Sequence, residues 1–239
     1  MDLVSVIIPT YNRFKHLINA IDSVKKQTYK NIEIIVVNDC SEEEEYYTYQ
    51  FSPDIKLINL EQNSKKIYGY ACAAYTRNVG VENSNGKYIA FLDDDDSWLP
   101  NKISLQLEAL NSNINCKMCS TEGYIGHGMY DSRKLYKKYN TEYFYNSIKN
   151  KLRNSEFYDD NFKFPKIWNW RFVRINNSII TSSIMIEKKF FVENGCFDIK
   201  PPPGEDYACW LKLLKSTNLV YIDEPCFFYD LGHGGKRWW

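Results

Sequence analysis

Four consecutive carboxylates, Asp93, Asp94, Asp95 and Asp96, close the apolar run Tyr88-Ile89-Ala90-Phe91-Leu92. Like charges this close repel one another, and the end of a buried strand is a costly place to desolvate them. A hard divalent cation makes such a run useful, because it takes carboxylate oxygens as ligands. The plainer reading is a solvated helix start, since Ser97-Trp98-Leu99-Pro100 follows and acids suit a first helical turn. A second acidic pair, Glu205 and Asp206, comes after Pro201-Pro202-Pro203-Gly204. That stiff elbow delivers both carboxylates to the first turn of a helix. There they either cap the helix or are held in the fixed geometry that proton transfer requires.

The elements that must position these groups alternate through the first half of the chain. Short, nearly continuous apolar runs predict strands over residues 3–8 (ended by Pro9), 32–37, 55–60 and 87–92. Apolar spacing predicts helices over 13–28, 69–83 and 100–110, with a short exposed helix over 42–50. Strands apolar on both faces and separated by helices imply a parallel, doubly wound α/β layer. Right-handed crossovers bring the carboxyl ends of such strands to one edge, where ligands bind. At that edge stand Pro9-Thr10-Tyr11-Asn12, Asn38-Asp39 and the Asp93 run, polar and acidic groups from three separate segments.

The second half is less regular. Residues 120–176 are rich in Tyr, Lys, Asn and Trp, with a helix expected over 142–153 and an aromatic cluster at Trp168-Asn169-Trp170-Arg171. Beyond it the pattern predicts a strand over 178–186, a short helix over 188–193, a helix from Glu205 and a last strand over 219–222.

At 239 residues the chain is long enough for a full core in one domain. Its 30 basic and 30 acidic side chains balance, so no net field draws it to nucleic acid or to a membrane. No run approaches the ~18 apolar residues of a membrane span. Seven cysteines, an odd number, and a start that leads straight into a strand-like run point to the cytoplasm or another reducing intracellular compartment. Cys116-Lys117-Met118-Cys119 lacks the second ligand pair of a zinc site, so these thiols read as buried apolar residues. The 19 Tyr and six Trp suit flat polar ligands such as sugars.

Several ordered motifs combine: Val4-Ser-Val-Ile-Ile-Pro-Thr-Tyr-Asn12, Gln27-Thr-Tyr29 with Glu33-Ile-Ile-Val-Val-Asn-Asp39, Arg77-Asn-Val-Gly80, and Gly86 through Asp96. They continue with Thr181-Ser-Ser-Ile-Met-Ile186, Gly195-Cys-Phe-Asp198 and Gly204-Glu-Asp206. Together they resemble the inverting family 2 glycosyltransferases of the GT-A fold, closely over residues 3–110 and more loosely over 177–233. The resemblance implies a GT-A-like single domain over 1–239, α/β in class. A mostly parallel central sheet would carry helices on both faces, with a nucleotide-sugar-binding half at 1–115 and a less regular acceptor-side half at 116–239.

It also implies metal-dependent, inverting transfer of a sugar from a nucleotide sugar, here a UDP-sugar, to a hydroxyl of a glycan, protein or lipid-linked acceptor. Pro9, Thr10 and Tyr11 would flank the nucleotide, with the Tyr11 ring on the base. Asp39 would accept a hydrogen bond from the uracil N–H, and Arg77 would meet the diphosphate. Asp95 and His233 would hold Mn²⁺ or Mg²⁺, while Asp93 or Asp94 would hold the ribose hydroxyls or a water beside the metal. Lys236 and Arg237 would close on the diphosphate. Asp206 would be the general base, and Glu205 would orient the acceptor or support the structure. The resemblance says little about residues 120–176; from aromatic character alone, Trp168 and Trp170 are candidates for the acceptor side.

Two other readings stay open at this point. A nucleotidyltransferase would carry a glycine-rich basic loop where Pro9-Thr10-Tyr11-Asn12 stands, which argues against it. A non-catalytic sugar-nucleotide or glycan-binding protein would have no need of the Asp93 run together with Asp206.

Overall fold

Apolar side chains at successive positions bury the first strand, β1 (Val4–Thr10), along its whole length. The computed structural model describes residues 1–201 and 203–233. After β1 come α1 (Phe14–Lys25), β2 (Ile32–Asn38), α2 (Glu45–Thr48), β3 (Ile55–Asn59), α3 (Ser64–Tyr68), α4 (Ala73–Glu82) and β4 (Tyr88–Phe91). The chain continues through β5 (Ser97–Trp98), α5 (Lys102–Ser112), β6 (Cys116–Gly126), β7 (Lys137–Lys138), a π-turn (Tyr139–Tyr143), α6 (Tyr145–Leu152), β8 (Ile167–Trp168) and α7 (Trp170–Val173). It closes with a 3₁₀ turn (Thr181–Ser183), β9 (Met185–Glu187), α8 (Lys188–Glu193), α9 (Glu205–Leu213) and β10 (Asn218–Asp230).

Among the described residues these strands form one sheet in the order β3-β2-β1-β4-β9-β6-β10-β5, with β7 added to β6 and β8 to β10. Strand β1 pairs in parallel with β2 and β4, β2 with β3, and β6 with β10. The short β9 is antiparallel to both β4 and β6, so the long strands all run one way. Their carboxyl ends therefore share one edge, as the sequence pattern requires.

Period-two alternation sends side chains to two cores, one on each face. Ile7, Ile89, Phe91, Met118 and Ile186 pack with Val81 of α4, Phe191 of α8 and Trp210 of α9. Val6, Ile8, Ala90 and Cys119 pack with Leu17 and Ile21 of α1 and Ile103 and Leu107 of α5. Gly80 lets α4 lie directly on β1, because a Cβ there would come within 2.4 Å of an Ile7 methyl. Among the described residues no helix is long and apolar enough to cross a membrane.

The structure corrects several local expectations. Pro9 does not end β1; it pairs in register with Val37. Leu92 N donates to Ile7 O on the β4 side and Asp39 N donates to Thr10 O on the β2 side, so strand alternation turns the Pro9 nitrogen toward β4, beyond the last residue of that ladder. The helix expected over 69–83 starts later, as α4 at Ala73, and a short helix not expected from the sequence, α3, precedes it; Gly69, at φ +83°, ends α3, its N–H donating to Lys65 O. The strand expected over 178–186 is reduced to β9 at its end, with the 3₁₀ turn standing in its middle. The turn's hydroxyls bond locally, as Ser183 Oγ does to Ile180 O at 2.6 Å, and offer the backbone an alternative to a ladder.

Strand β6 has no counterpart in the sequence reading, and β10 runs far beyond the expected 219–222. Charged and polar residues inside them mask their apolar pattern. Glu122 in β6 is fully buried. Its carboxylate accepts from Gly123 N, Asn140 N, Thr141 N and the Tyr221 hydroxyl, and so latches the π-turn to two central strands. Strand β10 carries register shifts on both sides of Pro225. Lys102 is also fully buried, its amine donating to Gln106 Oε1 at 2.6 Å and lying 4.1 Å from the centre of the Trp98 ring.

Candidate active site

At the carboxyl edge of the sheet the chain encloses a cavity of roughly 380 Å³. Two groups of residues line it: Pro9, Arg13, Arg77, Asp93, Asp94 and Asp95 from the first half of the chain, and Thr181, Glu205, Asp206, Tyr207, Tyr229 and His233 from the second. The first group comes from β1, the cap of α1, α4 and the segment after β4. The second comes from the 3₁₀ turn, the start of α9, the end of β10 and the segment after it.

The four adjacent carboxylates lie in four different environments. Asp93 is the most open, 29% exposed at its side chain, and accepts a 2.6 Å bond from Arg77 Nη2. Asp94 is buried and accepts from Arg13 Nη1 at 3.1 Å. The same nitrogen donates to Asp95 at 2.8 Å, and the same Asp95 oxygen lies 3.9 Å from His233 Nδ1. Asp96 turns inward, accepting from Ser182 Oγ at 2.6 Å and from Asp230 N at 3.0 Å. Burial pushes the Asp94 carboxyl up to about 8 against the pull of Arg13. Burial and the charge of Asp93 push Asp95 up to about 6. Asp96 is raised well above the usual carboxylate range, again chiefly by burial.

In the second group, Gly204 enters α9 at φ +97° and sets the first helical turn. Asp206 Oδ1 accepts from Tyr207 N at 2.6 Å, and Oδ2 accepts from the Thr181 hydroxyl at 3.2 Å. Both carboxylate oxygens of Asp206 are thereby oriented. Glu205 lines the same wall. Tyr229 projects from β10, its ring edge-on to Tyr139 of the π-turn and to His233.

Pro9, Arg77, Asp93, Asp94, Asp95, Glu205, Asp206 and His233 are thus brought together, although the sequence spreads them over the whole chain. Arg77 lines the cavity from beneath Asp93, donating to that carboxylate and packing 5.6 Å from the Phe197 ring centre. Other expected residues stand elsewhere. Thr10 is buried, its hydroxyl bonded to Tyr46 at 2.6 Å. Asp39 is buried too, accepting from Ser64 N and Oγ and from Asn63 Nδ2, which fastens the start of α3. Tyr11 is partly buried near Asp39 and Glu42, away from the cavity lining; burial first, then those charges, raise its phenol.

Trp168 is not on an acceptor face. It is wholly buried, stacked 4.3 Å from Tyr221, and its indole N–H donates to Pro165 O. Trp170 lies over Arg174 on a different surface, lining a separate groove with Asn169, Arg171, Leu214 and Lys215. Both were assigned from aromatic character alone, which does not distinguish core from binding surface. Lys236 and Arg237 lie outside the described residues. Arg13, Thr181 and Tyr229 belong to the site and were not singled out. Arg13 directly follows the Pro9-Thr10-Tyr11-Asn12 motif, and that position was the available signal.

Carboxylates and an imidazole are suitable donors for Mn²⁺ or Mg²⁺. Asp95 and His233 face one another at 3.9 Å beside the open Asp93, and burial first, then the charge of Asp93, raises the Asp95 carboxyl. Among the described residues no group of three metal-ligating side chains converges. Such a pair still fits a cation that takes most of its ligands from phosphate oxygens and water, as Mg²⁺ commonly does.

The family model described as glycosyl transferase family 2 matches residues 5–168. A Rickettsia prowazekii protein described as an uncharacterized glycosyltransferase is 32% identical over 240 residues, covering 98% of this chain and 65% of its own. An Escherichia coli UDP-Glc:alpha-D-GlcNAc-diphosphoundecaprenol beta-1,3-glucosyltransferase is 28% identical over 228 residues, 92% of this chain and 76% of that protein. The chain spans between 29% and 65% of the lengths of five Rickettsia relatives. The fold is similar to that of S. aureus TarS 1-349 in complex with UDP-GlcNAc, with a TM-score of 0.64 at 19% identity, over 98% of this chain and 61% of that one.

Proposed function

The chain belongs to glycosyl transferase family 2, and we propose that it moves a sugar from a UDP-sugar to a saccharide hydroxyl, with inversion at the anomeric carbon and with Mn²⁺ or Mg²⁺ bound. One observation carries this reading: Asp206 and the Asp93–Asp95 group line a single cavity. A donor diphosphate and an acceptor hydroxyl need two such sets of carboxylates in one site, one beside the leaving group and one beside the nucleophile. The preference for uridine is supported by the UDP-Glc named for the Escherichia coli relative and by the UDP-GlcNAc complex of TarS. A saccharide acceptor is supported by the GlcNAc-terminated acceptor in the name of that relative.

Asp206 Oδ2, steadied by Thr181, takes the proton from the acceptor hydroxyl as its oxygen attacks the anomeric carbon. The bond from that carbon to the phosphate oxygen breaks on the opposite side, and its electron pair leaves with UDP. Arg13 and Arg77 keep Asp93, Asp94 and Asp95 in place while charge builds up beside them. A divalent cation held by Asp95 and His233 would supply Lewis-acid stabilisation of the departing diphosphate.

The test is a calorimetric and thermal-shift series with UDP, CDP, UDP-glucose and UDP-GlcNAc, with and without Mn²⁺, followed by turnover of whichever donor binds. Binding to the native state raises its stability by mass action. The expected result is Mn²⁺-dependent stabilisation by UDP and its sugars that CDP does not match. Equal responses to UDP and CDP would remove the uridine preference, and binding indifferent to Mn²⁺ would remove the metal.

A further inference from the structure

The 3₁₀ turn Thr181–Ser183 reaches both groups of the site through consecutive hydroxyls. Thr181 Oγ1 donates to Asp206 Oδ2 at 3.2 Å. Ser182 Oγ donates to Asp96 at 2.6 Å and accepts the Asp93 backbone N–H at 3.0 Å, while Ser182 O accepts the Trp98 indole N–H at 2.8 Å. Ser183 anchors the turn in the core: its hydroxyl is 2.7 Å from Ser120 Oγ on β6, and its carbonyl accepts from Gln106 Nε2 at 2.8 Å. All three residues are at most 4% exposed. The turn has little surface of its own to offer a ligand. It has a buried attachment and two adjacent hydroxyls, one bonded to Asp206 and one to the Asp93–Asp96 segment.

We propose that this turn is a brace that sets the proposed base against the acidic run, with Thr181 as a positioning residue for Asp206 and Ser182 as a positioning residue for the Asp93–Asp96 segment. The inference rests on the transferase reading above and adds to it the part that fixes the spacing between the two ends of the displacement. Asp206 and Asp93 are on elements remote in sequence, and no described hydrogen bond joins them directly. Two adjacent residues of one turn, each bonded to one end, convert that separation into a backbone distance of a single residue. In-line displacement is sensitive to such spacing, because catalytic groups act only from near-attack geometry.

A turn that only filled space would lose donor binding and turnover together on mutation. A brace separates them. Thr181→Val keeps the shape and removes the hydroxyl. It is expected to lower the turnover number for release of sugar from UDP-glucose or UDP-GlcNAc by about tenfold, the loss of one positioned hydrogen bond. UDP affinity and donor KM should stay within about twofold, and Thr181→Ser should restore turnover. Ser182→Ala should do the reverse first, weakening UDP in calorimetry. Unchanged turnover in Thr181→Val, or no recovery in Thr181→Ser, overturns the brace. Asp206→Asn is run alongside. If it keeps full turnover, the base assignment falls and the inference with it; if it loses turnover while Thr181→Val does not, the inference alone falls. A double-mutant cycle of Thr181→Val and Asp206→Asn in urea unfolding reads the contact without any turnover: non-additive midpoints support it, and strictly additive ones overturn it.

Discussion

Replacing Lys102 by Met should change how the protein's stability responds to pH, and the size of the change follows from where the amine sits. Lys102 is fully buried, and burial pulls its amine down to about 7, from ~10.4 in an unfolded chain. Folding must therefore strip a proton from it at neutral pH. This contribution is absent above the unfolded value, grows as pH falls, and is complete below the folded one. By linkage the cost is about 4–5 kcal/mol at pH 6 and about 2–3 kcal/mol at pH 8.5. Methionine removes this cost and nearly conserves volume, but it leaves Gln106 Oε1 without its 2.6 Å donor, a loss of roughly 1–3 kcal/mol. The variant should thus be more stable than the parent by about 2–3 kcal/mol at pH 6 and close to equal at pH 8.5. Urea unfolding at both pH values, with linear extrapolation, measures it. The parent's own pH dependence is mixed, since the raised carboxyls of Asp94, Asp95 and Asp96 make stability fall over part of the same range. Only the difference between the two proteins isolates Lys102. A difference that does not move between pH 6 and 8.5 would refute a buried, easily deprotonated amine.

Three further outcomes are expected. Asp206→Asn should lower turnover by about 10²–10⁴-fold with donor affinity nearly unchanged, as for loss of a general base, whereas a mere helix cap would be served by Asn as well; single-turnover transfer assays decide it. Asp95→Asn keeps the shape but loses a charge, and should abolish the Mn²⁺ dependence of UDP binding in calorimetry while the far-ultraviolet circular dichroism is retained. Arg13→Gln removes the partner of buried Asp94 and should cost about 3–5 kcal/mol in chemical unfolding, the range for breaking a buried ion pair; a change below 1 kcal/mol would show that Asp94 does not depend on it.

The first half of the fold was legible because its strands are apolar on both faces and its helices carry plain amphipathic spacing, so Ile32–Asn38 and Tyr88–Phe91 stand where alternation put them. The second half hid its longest strands. Buried Glu122 inside β6 reads as a surface residue, since only tertiary donors make it acceptable there, and the exposed Asp223-Glu224 with Pro225 breaks the apolar pattern of β10 where its register shifts. Strand ends told where the site lies, but not which polar group faces the cavity. Asp39 and Thr10 stand at the expected edge and yet spend their oxygens on Ser64 and Tyr46. Asp93 to Asp96 could not be told apart in sequence, because what separates them is the direction each side chain takes from a turn, with Arg77, Arg13 and Ser182 waiting in different places.

The Glu122 latch has a consequence for how such a protein can diversify. At the π-turn its carboxylate grips only main-chain N–H groups, those of Asn140 and Thr141, so the grip makes no demand on the side chains there. Residues 132–135, exposed between β6 and β7, can then change length or composition while the chain returns to the same point on the sheet. Tyr139, which meets Tyr229 at the cavity wall, is delivered from that fixed point. A surface loop next to the proposed acceptor side is thereby free to drift toward new partners, while the groups that perform the transfer stay anchored beneath it.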